Sequence, residues 1–549
     1  VSFLLLLFIA LTWMAGAAEP SVRSTPASDL WIGTFLGTLG GLVLVVAAWS
    51  RLLARRVCGP TFGRSIQRLG RVMFLSRFFV VVWFALGVFG LGWVDFVLTR
   101  LRLNYFETAR LPGMIVGIAP ALLTWVGLWW AHYPADRALR QQGLADNLME
   151  GLPIHSPPQL GAHLATNFRI QVLFVLLPVM LIVGVRDIAF AAIHLREPAS
   201  AVVEGNEPTQ RSVRPPRPDH DSDNLEALVW LLSSAVVYLA APELLRRILG
   251  TSPMEEGPLR RRLESLCRRS GMRYRDILIW HTHFNVGNAA VMGLLPRFRY
   301  ILLSDLLLER MDDDQIEAVF AHEIGHVVHR HMAWYIVLIM ILMLTFAAVG
   351  QVCQTASWVR GLPLTPELWA VLTLVGSALS FWVIFGFLSR RFERQADVYA
   401  ARMLEAARPA SAAAGAKALE PLMSGATESS SRDLVPYPQP VDSHVGVYGA
   451  QLFASALHRV AMINNLPVNP RNRRGAGLMH NVSYAAGNLM DLAYDWLHGS
   501  IAGRMEYLRT MSDDPALTVR FDRLMSRLYG TLLFVLIASA AYVVPSLMR

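Results

Sequence analysis

The stretch AVFAHEIGHVVHRHM, residues 318–332, holds four histidines, His322, His326, His329 and His331, and one glutamate, Glu323. Its HEIGH core is an HExxH pattern. On a helix, positions i and i+4 project from one face, so two imidazoles can grip one Zn²⁺. Glu323, beside the first imidazole, can then act as a base on a water held at the metal. A helix is predicted here on separate grounds. In MDDDQIEAVF, Asp314 stands three residues before Glu317 in a capping-box spacing, and three successive aspartates suit the positive end of a helix.

A catalytic zinc needs three protein ligands and one open position, so a third ligand must come from elsewhere. In SRRFERQADVYA, residues 389–400, Glu393 precedes Asp397 by four residues. Both therefore fall on one helical face. Glu393 can ligate the metal, and Asp397 can accept the outer N–H of a ligand histidine and fix its tautomer. His329 and His331 are expected at a membrane interface, where amphipathic and basic side chains gather. His444, His458 and His480 show no interpretable partner spacing.

The elements that must position these residues are mostly apolar. The 549-residue chain is 54% hydrophobic and 17% charged, with mean hydropathy +0.39. That balance points to membrane spans rather than a large aqueous core. The net charge of +9 comes almost wholly from arginines at the ends of apolar runs, which is a topology pattern and not a nucleic-acid face. The only lysine, Lys417, is followed by Ala418, so no GxxxxGK[ST] phosphate loop exists and an ATP-driven protease is excluded. The cysteines Cys58, Cys267 and Cys353 form no CxxC and no disulfide framework.

Residues 3–14 form a short apolar run followed by AGAAEP, expected to be a signal peptide or an N-terminal anchor within 1–17. Eight further runs lie near 31–49, 72–97, 113–131, 170–193, 226–245, 332–352, 367–389 and 530–547. Each approaches or exceeds the roughly 20 residues that cross a bilayer core. The expected layout is a five-span region over 18–245, a first protease segment over 246–331, a transmembrane hairpin over 332–389, a second protease segment over 390–529 and a last span over 530–549. The Pro-rich 195–225 and the Ala/Ser-rich 404–443 are predicted to be flexible loops. Residues 51–77 carry seven arginines and no acid, so that loop is expected in the cytoplasm. Alternation then puts 132–169, 246–331 and 390–529 inside as well, with the HEIGH helix on the cytoplasmic side of a bacterial inner membrane.

NAAVMG, AHEIGHVVHRH, SRRFERQADVYA and HGSIAGRMEYL together resemble the integral-membrane zinc metalloproteases that include the CAAX prenyl proteases and HtpX-type heat-shock proteases. The resemblance spans about 250–400 and 445–510. It implies a mainly α, polytopic protein of about eight transmembrane helices, with a gluzincin-like zinc protease domain and a small β-element. It further implies one Zn²⁺ per chain, with Glu393 as third ligand. Five spans before the zinc helix and two after it are closer to the CAAX prenyl protease layout, and the run at 530–547 is an addition. FNVGNAAVMG matches the family's substrate edge strand and maps to Asn288 and Ala289, with Ala290 where Phe or Tyr is usual. His498 and Arg504 match a late His-Pro segment, with Gly499 in place of Pro. They are candidates for stabilising an oxyanion or, for His498, for filling the open metal position at rest.

Three other functions compete. A site-2-type intramembrane protease would bury HExxH in lipid, which Asp312, Asp313, Asp314 and Glu317 oppose. A CAAX-type processing enzyme would share the site but need a prenylated substrate. A transporter or scaffold would explain the hydrophobicity but not HExxH with ExxxD. The expected function is hydrolysis of membrane-associated or misfolded polypeptides, with the lipid bilayer and a polypeptide substrate as partners and neither ATP nor nucleic acid.

Overall fold

The computed structural model describes residues 2–18, 26–55, 62–103, 110–149, 157–194, 220–284, 286–355, 366–407, 444–464 and 496–547. Most of the two expected flexible loops, and His480, lie outside the described residues. The chain is mainly α-helical and polytopic. Among the described residues, seven helices are long and apolar enough to cross a membrane: Asp29–Arg55, Arg68–Gly90, Leu111–Gln141, Leu160–Ala192, Leu228–Ile248, His331–Gly350 and Pro515–Val543. The run expected at 367–389 forms the first part of a single helix, Pro366–Ala406, that continues past Glu393 and Asp397.

The chain divides into two compact units, one up to Thr251 and one from Ser252. The first contains helices α1 (Ser2–Ala18), α2 (Asp29–Arg55), α3 (Phe62–Gly90), α4 (Leu111–Met149), α5 (Phe174–His194) and α6 (His220–Ile248). Its core is built of long and aromatic side chains, among them Leu6, Phe35, Phe84, Trp93 and Trp125. Buried Trp93 donates its indole N–H to Gly117 O at 2.8 Å, so its polar atom is satisfied inside the apolar packing.

The second unit holds a four-stranded sheet in the order β1-β2-β4-β3, from β1 (Thr251–Pro253), β2 (Asp276–Trp280), β3 (Ala289–Met292) and β4 (Tyr300–Ser304). Strand β2 runs parallel to β4, with Asp276 opposite Tyr300, and β3 runs antiparallel to it, with Ala289 opposite Leu303. All five residues of β4 are buried, as a central strand with covered faces requires. Strand β3 is left at an edge. Around the sheet pack α7 (Pro258–Arg269), α8 (Asp305–Arg310), α9 (Asp313–Val328), α10 (His331–Thr355), α11 (Pro366–Ala406), α12 (Val447–Ile463), α13 (Ile501–Asp513) and α14 (Pro515–Leu547).

Helix α9 carries the HEIGH pattern. Ile316, Phe320 and Ile324, spaced by four, are all buried in the core, each contributing about 1.5–3 kcal/mol of apolar transfer. Its cap differs from the sequence expectation. Asp312, not Asp314, is the N-cap, accepting from Gln315 N–H at 2.8 Å. Asp314 and Glu317 instead meet Arg262 of α7, whose Nε lies 2.9 Å from Glu317 Oε2. Helix α9 does not run on into the apolar span that follows it. Arg330 adopts a left-handed φ of 55°, ending α9, and a new helix begins at His331.

Candidate metal centre

Two helices meet at the site, α9 and α11. Their backbones come close at Gly325, where a Cβ would press on the Cα, Cβ and O of Ala396. Only glycine permits that approach without a shift. It sets the HEIGH face of α9 directly against Glu393 and Asp397. Nε2 of His322 and Nε2 of His326 are 3.1 Å apart. Glu393 Oε2 lies 3.6 Å from His322 Nε2, and Oε1 lies 3.7 Å from His326 Nε2. In a tetrahedral zinc site with ligand bonds near 2.05 Å, neighbouring ligand atoms stand about 3.3 Å apart. One ligand atom from each of the three residues lies within 4.8 Å of the others, close enough to converge on one ion, and two imidazoles plus a carboxylate are a donor set of the catalytic type. The residues present therefore fit zinc.

The outer nitrogens support the same reading. Asp397 is fully buried, and its Oδ1 lies 2.9 Å from His322 Nδ1, which leaves the Nε2 lone pair facing the site. Phe453 of α12 stacks on the His322 ring at 5.6 Å between centroids and fixes its plane. Burial alone would depress His322, but the carboxylates of Asp397 and Glu393 close to its ring hold its pKa up at about 9. The pocket thus attracts positive charge at Nε2, where a proton and a metal ion compete.

Arg504 and His498 reach the same group from α13 and the turn before it. Arg504 is buried and grips Asp397 with both ends of its guanidinium, Nε to Oδ2 at 2.8 Å, while Nη1 lies 3.2 Å from Glu393 Oε2. His498 Nδ1 is 2.9 Å from Glu393 Oε1, and its side chain is partly open to solvent. Burial pushes the Glu393 carboxyl up, yet Arg504, His322 and His498 together hold it well below its ordinary value, so it stays ionised. Gly499 sits at φ 78°, a conformation that proline cannot adopt.

Glu323 faces a cleft of 650 Å³ whose lining includes Val291, Gly293, Arg299, His326 and Tyr335. Burial raises its pKa to about 7 against the opposing charge of His322. Asn288 is exposed and Ala289 buried. The main chain of Asn288 is already engaged: its N–H donates to Ser304 Oγ at 2.9 Å and its carbonyl accepts from Ser304 N–H at 3.0 Å. By strand alternation, Val291 turns its N–H and C=O away from β4, to a side of β3 that no other described strand pairs with, and its side chain lines the cleft.

His331 departs from its expected interfacial role. It is 1% exposed, stacked on Phe392 at 4.3 Å, and its Nδ1 lies 2.8 Å from Nδ1 of His326. Its partner on the far side is Gln395, at 3.0 Å from Nε2. Sequence reasoning passed over Gln395 because it falls between Glu393 and Asp397, off the face those two share. His329 packs edge-on to Tyr399. His444 hydrogen-bonds Thr518 and the Ser512 carbonyl, away from the site.

Comparison with known proteins bears on this segment. Residues 253–464 match the model of peptidase family M48. A CAAX prenyl protease 1 homolog of Arabidopsis thaliana is 27% identical over 189 residues, covering 33% of this chain and 44% of that protein. A protease HtpX homolog of Aeropyrum pernix is 27% identical over 188 residues, 32% of this chain and 55% of that protein. The chain thus spans about half the length of the curated relatives it matches. A crystal structure of S. mikatae Ste24p aligns over 86% of this chain and 98% of its own, at 15% identity and a TM-score of 0.42. The HExxH helix and the ExxxD helix both lie within the matched segment, which is similar to the peptidases of family M48 and to the CAAX prenyl protease and HtpX homologues.

Proposed function

We propose that the chain is a zinc-dependent membrane endopeptidase acting on extended segments of membrane-associated or misfolded polypeptides. The observation that supports this most directly is the spacing of His322 Nε2, His326 Nε2 and the Glu393 carboxylate, with Glu323 beside them on the wall of a cleft. Zinc held by His322, His326 and Glu393 would supply a Lewis acid for the scissile carbonyl and acidify a water. Glu323 takes a proton from the attacking water and passes it to the leaving amine, a role suited to a carboxylate whose burial raises it to about 7. The free edge of β3 at Val291 pairs with the backbone of an extended substrate, which orients the peptide with little demand on its sequence. His498, partly open beside Glu393, is the candidate donor to the oxyanion. Arg504 is committed to Asp397 and Glu393, so it steadies ligands instead of meeting substrate. The arginine-rich 51–77 and 246–275 segments favour a cytoplasmic active site in a bacterial inner membrane.

The test is metal analysis paired with peptide cleavage on the full chain in detergent. Wild-type protein is expected to hold one zinc. Glu323→Gln is expected to keep the zinc and lose about 10²–10⁴-fold in cleavage, the usual contribution of a general base. Glu393→Ala is expected to lose both. Folded wild-type protein that takes up no zinc would overturn the reading, and near-normal cleavage by Glu323→Gln would overturn the assigned base.

A further inference from the structure

The HEIGH helix and its zinc reading leave one question about His326. A neutral imidazole carries one proton, and it ligates through Nε2 only if that proton sits on Nδ1. For His322 the carboxylate of Asp397, 2.9 Å from Nδ1, favours a proton on that nitrogen. Among the described residues, no carboxylate is found at Nδ1 of His326. What lies there is a second imidazole, His331, with Nδ1 facing Nδ1 at 2.8 Å.

Two facing ring nitrogens form a hydrogen bond only if one donates and the other accepts. The choice is passed outward. His331 Nε2 is 3.0 Å from Gln395 Oε1, and Tyr529 of α14 places its hydroxyl on the same oxygen. An amide oxygen can only accept. With Oε1 in this position, His331 must carry its proton on Nε2 and present a lone pair at Nδ1. That lone pair accepts the Nδ1–H of His326, and the Nε2 lone pair of His326 is left pointing at Glu393 and His322. Turning the amide over reverses every bond in the chain. Its N–H₂ would donate to His331, His331 would donate to His326, and His326 would aim a proton at the site.

We infer that Tyr529, Gln395 and His331 form a buried proton-ordering relay that holds His326 in its metal-ligating tautomer. They are positioning residues, since none touches a donor position except through His326. The geometry has no slack. The His331 ring lies flat on Phe392 at 4.3 Å and 5°, and Gln395 and His331 are both buried. The relay also explains the break at Arg330. Five residues apart on one unbroken helix, His326 and His331 would diverge by about 140°. The left-handed turn at Arg330 lets His331 fold back so that the two rings meet edge to face at 4.9 Å.

This inference rests on the zinc reading, and its test separates the two. Zinc affinity is measured by competition with a chromophoric chelator on the full-length protein in detergent, alongside the visible spectrum of the Co²⁺-loaded form. Gln395→Met removes the acceptor at similar volume, and Gln395→Glu keeps it. Loss of a partner behind a ligand histidine typically weakens metal binding by about 10–100-fold, and Gln395→Met is expected in that range. Gln395→Glu is expected to bind zinc and to give a Co²⁺ spectrum like the wild type. A merely structural role would not respond to the polarity of one side chain. If Gln395→Met does not fold, His331→Phe replaces it, keeping the ring on Phe392 without nitrogens, with the same expected loss. Wild-type affinity in the folded acceptor-less variant, or equal weakening of Gln395→Met and Gln395→Glu, would overturn the relay. Wild-type protein without zinc affinity would instead overturn the zinc reading.

Discussion

Arg504 answers an electrostatic problem set by α11. Glu393 and Asp397 are four residues apart on one helix and both are buried, so two like charges share a dry face. The guanidinium spans them, paired with Asp397 through two bonds and with Glu393 at 3.2 Å. Removing one partner of such a group leaves the others buried without compensation, typically costing about 3–5 kcal/mol. Arg504→Met is expected to lose stability in that range by denaturant unfolding in detergent. Arg504→Lys should recover only part of it, because a single ammonium cannot reproduce the planar fork. A Met variant as stable as wild type would show that the pairing is dispensable. At this scale His322, Glu323, His326, Glu393 and Asp397 are legible from spacing alone, because HExxH and ExxxD repeat at the helical period. Gln395, Tyr529 and the burial of His331 are not. They act across helices, and a hydrogen bond between residues 331 and 395, or 395 and 529, leaves no periodic trace.

Elements convert that spacing into a site through how closely they pack. α9 and α11 approach at Gly325, where even a methyl group would press on the backbone of Ala396. Overpacking of this kind usually costs about 1–3 kcal/mol. Gly325→Ala is expected to destabilise the fold by that amount and, by pushing α9 off α11, to weaken zinc binding more than stability. The check is zinc affinity measured on the fraction that remains folded. A variant with wild-type affinity would mean that the ligand spacing does not depend on this contact. The sequence pointed to α9 through its acidic first turn and to α11 through the four-residue spacing of Glu393 and Asp397. It misled about the cap and gave no sign of where α9 ends. Asp312, Asp313 and Asp314 are the same residue type, and it is the acceptance of the Gln315 N–H by Asp312, with Asp313 and Asp314 turned towards Arg262 of α7, that assigns the cap. The turn at Arg330 has no glycine or proline to announce it, since a tertiary bond from His331 to His326 holds it.

Across the whole molecule, the distribution of arginine is the property from which orientation can be argued. The long apolar helices of both units are evident from hydropathy, because a run of about 20 apolar residues can cross a bilayer as one helix with its backbone polar groups bonded within the segment. Which end of each helix faces the cytoplasm is a question of charge near the helix ends. Residues 51–77 and 246–275 are rich in arginine, and Arg268 of α7 is largely exposed at 71%. Leu30, at the start of α2, is exposed at 74% and precedes a span on the opposite end from Arg55. In a chain with Cys58 and Cys353 changed to Ser and buried Cys267 kept, single cysteines at Arg268 and Leu30 then become opposite reporters. Arg268→Cys is expected to react with a membrane-impermeant maleimide only in inside-out vesicles, and Leu30→Cys only in right-side-out ones. Because each cysteine is scored in both vesicle types, poor reactivity in one is separated from true protection. Labelling of Arg268→Cys from the outside would reverse the orientation and put the HEIGH helix, which Arg262 of the same helix α7 braces through Glu317, on the outer face.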